Sequence, residues 1–404
     1  MHWLRVSTTL ILLCPFGITM SVAQSRPSDE QPIITFVQLT DAHVFDDGWK
    51  QPLDTGYRAV GDDWAGLHWA VQEINELVRA DEHIDFVVYT GDLGLQNVEL
   101  EKDCNVAPVG TDLRGLPAIQ KHWAVGQLAR ELNTLAVNTV YFVPGNNDLF
   151  KEAVTDSPRH GCFLNLVQSE LASFSPPSPV QLKELKAANP VSVNGIRLAG
   201  LNSASFKALT NYQRDCPAAG EGCPVSEMAS LQTLIRADSR EPILVFTHVP
   251  DLKDPYRGDR AWDVTPGVRT TWEGLACDSK VLAIFAGHFH DSDRNFYGTT
   301  TGTRNLTVSP CVATKTWVAP PLAIKNQNDR KPGARGLLLV EVFKSGMPVV
   351  KVYWFDAPVT PSQPKVVCNR TLLWITYSSF AILLLFALFV AMVRRASRDS
   401  SPSR

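Results

Sequence analysis

The chain has 404 residues, a formal net charge of −3 and 20% charged residues. That length accommodates one large domain or two ordinary ones, with a sizeable core. The slightly acidic balance lacks the basic surface that nucleic acid favours, so no nucleic-acid partner is expected. Residues 1–23 begin with a basic Arg5 and continue apolar from Val6 to about Val22, interrupted by Pro15 and Gly17. Ser21-Val22-Ala23 places small residues at both positions a signal peptidase reads, which predicts a signal peptide cleaved after Ala23. The alternative is an N-terminal anchor, but the run is short and broken. Leu13 before Cys14 argues against a lipoprotein site.

Apolar runs then predict strands at Ile33–Leu39, Phe86–Thr90, Thr139–Val143, Val191–Leu201, Ile243–Thr247, Val281–Ala286, Gly336–Phe343 and Val349–Trp354. Between them, helical patterns span Trp64–Arg79, Ala118–Leu135 and Val225–Ala237. In the first, Leu67, Ala70, Val71, Ile74, Leu77 and Val78 keep the i, i+3, i+4, i+7 spacing of one apolar face. Strands alternating with helices predict a layered α/β domain over residues 30–355. The late strands, with few helices between them, predict that part of the sheet is antiparallel. No internal repeat is present. A Pro-rich linker follows over residues 356–370, three of its prolines within Asp356–Lys365.

Residues 371–393 carry no charge, and about 20 apolar residues suffice to cross a bilayer. Trp374 and Tyr377 stand near the start of this segment, and Arg394, Arg395 and Arg398 follow it. The pattern predicts a transmembrane helix with a cytoplasmic basic tail at 394–404. Both ends together predict a single-pass type I protein of the cell membrane, its main domain outside the cytoplasm (periplasmic or extracellular).

That location permits disulfides. Of eight cysteines, Cys14 lies in the signal segment, leaving an odd number: Cys104, Cys162, Cys216, Cys223, Cys277, Cys311 and Cys368. Cys216 and Cys223 are placed to close one small loop. Cys104 with Cys162 and Cys277 with Cys311 are plausible pairs, which leaves Cys368 beside the membrane. Absence of Cys-x-x-Cys argues against a structural zinc site of that type. Asn305-Leu306-Thr307 and Asn369-Arg370-Thr371 are glycosylation sequons.

Five short segments carry the chemistry: Asp41-Ala42-His43, Gly91-Asp92, Gly145-Asn146-Asn147-Asp148, Thr247-His248 and Gly287-His288-Phe289-His290. Each falls at the end of a predicted strand or just past it, the edge where open α/β sheets gather ligands. Any one segment is weak evidence, since a lone Asp-x-His is common and a lone buried His is more often a core residue. Together they supply Asp, His, Asp, Asn, His, His and His. Oxygen and imidazole ligands in that number suit two Mn, Fe or Zn ions rather than copper or an iron–sulfur cluster.

The ordered pattern D-x-H, G-D, G-N-[H/N]-D, H, G-H-x-H resembles that of the calcineurin-like metallophosphoesterase superfamily, from about Ile33 to His290. The resemblance implies a four-layer αββα sandwich, two packed sheets flanked by helices, with a dinuclear centre at the sheet edge. It implies one ion on Asp41, His43 and His290, a second on Asn146, His248 and His288, and Asp92 bridging them. The implied activity is that of a metal-dependent phosphoric ester hydrolase. A metal-bridging hydroxide attacks a phosphoester or phosphoanhydride in line, and two ions about 3.5–4 Å apart clamp the phosphate.

Two positions depart from relatives. Purple acid phosphatases carry Tyr three residues after the bridging Asp, where this chain has Leu95, so no purple chromophore is expected. Most members carry His after the ligand Asn; here it is Asn147, which donates hydrogen bonds but no proton. A general acid contributes about 10²–10⁴ in rate. Three readings compete. The substrate has a good leaving group, as in acid-sphingomyelinase-like and endopolyphosphatase-like relatives, some of which tolerate Asn here. Or His160, in the loop after the motif, donates the proton, against the blander reading of an exposed loop histidine. Or the site binds metal without turnover, as a surface receptor or binding protein.

Asp46–Trp64 and Asp251–Glu273 follow ligand segments and are long enough to rim a cleft. Trp49, Tyr57, Trp64, Tyr256, Trp262 and Trp272 in them either meet a base or lipid chain or pack the loops onto the body. Arg257, Arg260 and Arg269 either hold phosphate oxygens or are solvated. The substrate class expected is a phosphorylated small molecule, a lipid or polyphosphate.

Overall fold

The computed structural model describes residues 30–43, 63–93, 123–146, 148, 157–206, 223–250, 266–289, 309–323, 335–344, 346 and 348–355. The chain divides into two compact units, Met1–Ala357 and Pro358–Arg404, and every described residue belongs to the first. The expected signal peptide, linker, transmembrane segment 371–393 and basic tail lie outside the described residues, as do Leu95 and both sequons. Among the described residues, no helix is long and apolar enough to cross a membrane.

The strands are β1 Ile34–Leu39, β2 Phe86–Thr90, β3 Thr139–Val143, β4 Gln181–Glu184, β5 Val191–Val193, β6 Ile196–Leu201, β7 Ile243–Thr247, β8 Val281–Ala286, β9 Thr316–Val318, β10 Gly336–Val342 and β11 Val349–Trp354. The helices are α1 Asp63–Arg79, α2 Trp123–Asn133, α3 Ser157–Ser173, α4 Pro224–Arg236, α5 Pro266–Ala276 and α6 Pro310–Lys315. Six strands form one sheet in the order β11-β10-β1-β2-β3-β4, and five form a second in the order β5-β6-β7-β8-β9. Strands β1 to β4 run parallel, as do β6 to β9. The antiparallel portion is β10 and β11 at one flank and β5 at another.

Alternation along each strand decides the layers, because successive side chains point to opposite faces. Ile34 and Phe36 of β1 join Phe86, Phe246 and Phe285 in a core between the sheets. Phe36 stacks on Phe86 at 5.1 Å and meets Phe285 edge-on at 5.1 Å. Val37 and Leu39 face the other way, onto Leu67, Val71 and Ile74 of α1, with Leu128 of α2 and Val167 of α3 in the same cluster. A third cluster packs Met228 and Leu231 of α4, Trp272 of α5 and Val312 of α6 on Val245 and Ile284 of the second sheet. Helices, sheet, sheet and helices therefore succeed one another. Strands buried on both faces read as continuous apolar runs, which is why most were evident from sequence.

Some expectations need correction. Val191–Leu201 is a hairpin rather than one strand, because Asn194 (φ 49°) and Gly195 (φ 80°) both take the left-handed conformation of a two-residue primed turn. Strands β4 and β9 went unread because they are short and β4 is largely polar. Helix α2 is described from Trp123, so the expected start at Ala118 lies outside the described residues. Helices α3, α5 and α6 were also unread, although each has Pro at or next to its first residue, where a missing N–H costs nothing. Consequently His160 sits on helix α3 and not in a loop; its side chain is outside the described part. The end of the second expected rim, from Pro266, is helical, and Trp272 is buried against Phe206 at 6.0 Å, so it packs the body.

Cys277 and Cys311 form a disulfide (Cα–Cα 5.7 Å), tying α5 to α6. Cys223 is disulfide-bonded as well, and its expected partner Cys216 lies outside the described residues. Cys104 and Cys368 also lie outside them, as does the side chain of Cys162.

Candidate metal centre

Five parallel strands deliver the candidate ligands to one edge. Asp41 and His43 follow β1, Asp92 follows β2, Asn146 follows β3, His248 follows β7 and His288 follows β8. All six are almost completely buried. Potential ligand atoms of Asp41, His43 and Asp92 lie within 4.8 Å of one another, and so do those of Asp92, His248 and His288. Asp92 belongs to both groups, as a bridging carboxylate must. His43 Nε2 is 3.6 Å from Asp41 Oδ1 and 3.6 Å from Asp92 Oδ2. His248 Nε2 is 3.1 Å from Asp92 Oδ2 and 3.2 Å from His288 Nδ1. His290 and Asn147 lie outside the described residues, as do Trp49, Tyr57, Tyr256, Trp262, Arg257 and Arg260.

The loops are held in costly conformations. Of six non-glycine residues at positive φ among the described residues, four are Asp41 (52°), His43 (43°), Asp92 (55°) and His288 (73°). Such strain costs about 1–3 kcal/mol each and persists only where the surroundings impose it. The glycines in the motifs allow the loops to close on one another. A Cβ on Gly91 would stand 2.6 Å from His248 Nδ1, and one on Gly145 would overlap Asp92. A Cβ on Gly287 would overlap the Thr40 hydroxyl and stand 2.8 Å from Asp41 Oδ2.

Backbone and side-chain hydrogen bonds lock the ligands. Asp41 N–H donates to Gly91 O and His43 N–H to Asp92 O, each at 3.0 Å. Asp41 Oδ2 accepts from the Thr40 hydroxyl at 2.7 Å and from His288 N–H at 2.8 Å, turning Oδ1 toward His43 and Asp92. His248 Nδ1 lies 2.8 Å from Thr90 O, so it carries the proton and leaves Nε2 to face Asp92. Gln38, buried between the sheets, donates through Nε2 to Thr90 Oγ1 and to Ala286 O, both at 2.9 Å. It thereby ties β1 to the strand ends that precede Asp92 and His288. Tyr89 Oη accepts the Ala42 N–H at 2.6 Å, and Ser203 Oγ accepts from His248 N–H (3.0 Å) and Val249 N–H (2.7 Å). Asp148 Oδ2 accepts Gly145 N–H at 2.9 Å, closing the turn that presents Asn146.

The electrostatics favour cations. Burial alone would raise the Asp92 carboxyl, but the charge and hydrogen bond of His248, with His43, hold it well below the usual carboxylate range. Burial would lower His248, yet Asp92 and then Asp41 outweigh it and push the imidazole up to about 9. Burial pushes the Tyr89 hydroxyl well up, so it stays neutral beside three carboxylates. Asn146 is 2% exposed and its Oδ1 has no hydrogen-bond partner. A buried carbonyl oxygen left so is costly unless a cation or donor meets it. The donor set, the shared carboxylate and this orphaned oxygen fit two divalent ions. Sequence reasoning missed Gln38, Thr40, Tyr89, Thr90 and Ser203, because their partners are set by the fold.

Comparison with curated proteins finds no match. Among solved structures that match is a Staphylococcus aureus protein, provisionally assigned as a 5′-nucleotidase and in complex with α-ketoglutarate. It shares 13% identity over 80% of this chain with a TM-score of 0.36, and this chain spans about half (54%) of its length. The sequence profile of the family described as calcineurin-like phosphoesterase matches residues 34–292, well over half of the chain. That match takes in every residue of the centre described above, and the chain belongs to the calcineurin-like phosphoesterase family.

Proposed function

We propose that this protein is a membrane-anchored, extracytoplasmic phosphoesterase that hydrolyses a phosphoester or phosphoanhydride of a phosphorylated small molecule with two Mn, Fe or Zn ions. The observation that carries the reading is the pair of three-residue ligand groups sharing Asp92, completed by the buried Asn146 oxygen. Asp41, His43 and His290 would hold one ion, Asn146, His248 and His288 the other, with Asp92 between. When bound, the ions supply Lewis-acid charge on the phosphoryl oxygens and a nucleophile at neutral pH. The chain's own residues orient the ligands. Thr40 and His288 N–H aim Asp41, and Thr90 O fixes the His248 tautomer.

Asn147 replaces an acid with a hydrogen-bond donor, which supports a substrate whose leaving group needs little protonation. His160 remains the candidate proton donor for the alternative. The charge-free segment 371–393 and the leader 1–23 support anchoring, with the domain outside the cytoplasm. A lipid or polyphosphate substrate remains part of the proposal.

The test is a panel of aryl and alkyl monoesters, diesters and pyrophosphates on the Mn-loaded full-length chain, with Asn147→His and His160→Ala beside it. Asn147→His should raise turnover of alkyl esters and leave aryl esters within about threefold, since only poor leaving groups gain from an acid. Loss of all activity in His160→Ala alone would shift the donor role there. A metal-loaded wild type inert on every substrate contradicts the reading and leaves a non-hydrolytic binding protein.

A further inference from the structure

Gln38 is fully buried in β1, three residues before Asp41, and it meets both sheets where they deliver ligands. Its Nε2 donates to Thr90 Oγ1 on β2 and to Ala286 O on β8, both at 2.9 Å. Each of these groups stands two residues before a ligand, Thr90 before Asp92 and Ala286 before His288. One amide therefore joins the ends of three ligand-bearing strands across the two sheets.

As a device for holding the fold, this side chain is a poor one. Its Oε1 has no hydrogen-bond partner, and an amide carbonyl buried in that way is destabilising. Neither group it grips depends on it. Ala286 O also accepts Ala319 N–H at 2.9 Å, and Thr90 Oγ1 also donates to Leu39 O at 3.3 Å. An apolar side chain of similar shape would orphan nothing, and such exchanges are close to neutral or stabilising. What the amide supplies is position: it fixes how far apart the sheets stand beneath the centre.

That spacing bears unequally on the two ligand groups. Asp41, His43 and Asp92 all follow strands of the six-stranded sheet, so a shift between sheets leaves them together. Asp92, His248 and His288 span the gap, because both histidines follow strands of the five-stranded sheet. Two other bonds cross here, His248 Nδ1 to Thr90 O and His288 N–H to Asp41 Oδ2, and the ligands themselves make both. Gln38 crosses without being a ligand, so it can be altered with every coordinating atom intact.

We infer that Gln38 is a positioning residue of the metal centre: it sets the spacing of Asp92 from His248 and His288, and so the affinity for the second ion, at a cost in fold stability. The inference rests on the two-ion reading above, and its test uses no turnover. Mn(II) titration against a competing chelator, thermal unfolding in EDTA and the EPR spectrum of the Mn-loaded form are compared in full-length wild type, Gln38→Met and Gln38→Leu. In Gln38→Met the first ion should bind within about threefold of wild type and the second about tenfold more weakly, the lower end of what outer partners contribute. Its unfolding temperature in EDTA should equal or exceed that of wild type. The exchange coupling between two Mn ions depends on their separation, so the EPR signal of the pair should change as well. Gln38→Leu should show the same loss at the second ion. Wild-type affinity for both ions, or equal weakening of both, overturns the inference. A lowered unfolding temperature in both variants marks a merely structural tie and overturns it too. A wild type that binds fewer than two ions overturns the two-ion reading, and the inference with it. Two bound ions with no hydrolysis anywhere in the panel above overturn the phosphoesterase reading alone.

Discussion

Replacing Thr40 by Val tests whether the hydrogen bonds behind the ligands set metal affinity. Thr40 is fully buried, and its hydroxyl donates to Asp41 Oδ2 at 2.7 Å, with Thr90 O as the alternative acceptor at 3.0 Å. Val has nearly the same shape, so the change removes the donor and leaves little void. Nothing in the fold is orphaned, because Thr90 O keeps the His248 ring N–H at 2.8 Å. Asp41 Oδ2 retains the His288 N–H but loses the donor that helps aim Oδ1 toward His43. A hydrogen bond to a charged group contributes about 1.5–3 kcal/mol. Loss of such an outer partner typically costs about 10–100-fold in metal affinity. Mn titration against a competing chelator should show that weakening, while thermal unfolding in EDTA reports a loss no larger than that of the hydrogen bond itself, about 1.5–3 kcal/mol. Thr40→Ser restores the hydroxyl and should return affinity to within about threefold of wild type. Wild-type affinity in Thr40→Val, or equal losses in Thr40→Ser, would refute the reasoning.

Other outcomes follow from the same contacts. Gly287→Ala puts a Cβ into Thr40 and 2.8 Å from Asp41 Oδ2, so esterase activity should fall about 100-fold or more, as for a displacement near 1 Å; activity near wild type would show that the loop gives way. Tyr89→Phe leaves the buried Ala42 N–H without its acceptor, and urea unfolding should report a loss of about 1–3 kcal/mol. Without metal, His248 holds a proton up to about pH 9, above its ordinary 6.5. A metal ion must displace that proton, so Mn affinity should rise with pH through neutrality and level off above about 9; a flat profile contradicts this. The sign for stability is the reverse. The raised value stabilises the EDTA-treated fold fully below about pH 6.5, and that contribution is lost as pH climbs through about 9.

The ligand-bearing strands were legible because β1, β2, β3, β7 and β8 are buried on both faces, so each apolar run stops where its ligand begins. The glycines of the motifs were visible as letters, but their purpose was not. Gly91 is small because of His248, which lies far along the chain. The supporting residues were hidden for the same reason. Gln38 reaches Ala286 across 248 positions, and no local pattern marks a buried Gln as a tie between two sheets. Trp272 looked like a rim aromatic because its segment follows a ligand, yet it sits on the apolar face of a helix. Signals were present for the hairpin at Asn194-Gly195 and for the helices that open near proline. Cys277 and Cys311, one of the plausible pairs, are joined, although nothing in their spacing singled them out.

The central claim is that Asp92 joins two ions into one hydrolytic centre. Its most direct test is Mn stoichiometry of the purified full-length chain, followed beside hydrolysis of bis(p-nitrophenyl) phosphate, in wild type and Asp92→Asn. Wild type should bind two ions per chain, with activity appearing only as the second site fills. Asp92→Asn should weaken both ions and abolish turnover. One ion per chain at full activity, or undiminished hydrolysis in Asp92→Asn, would contradict the account.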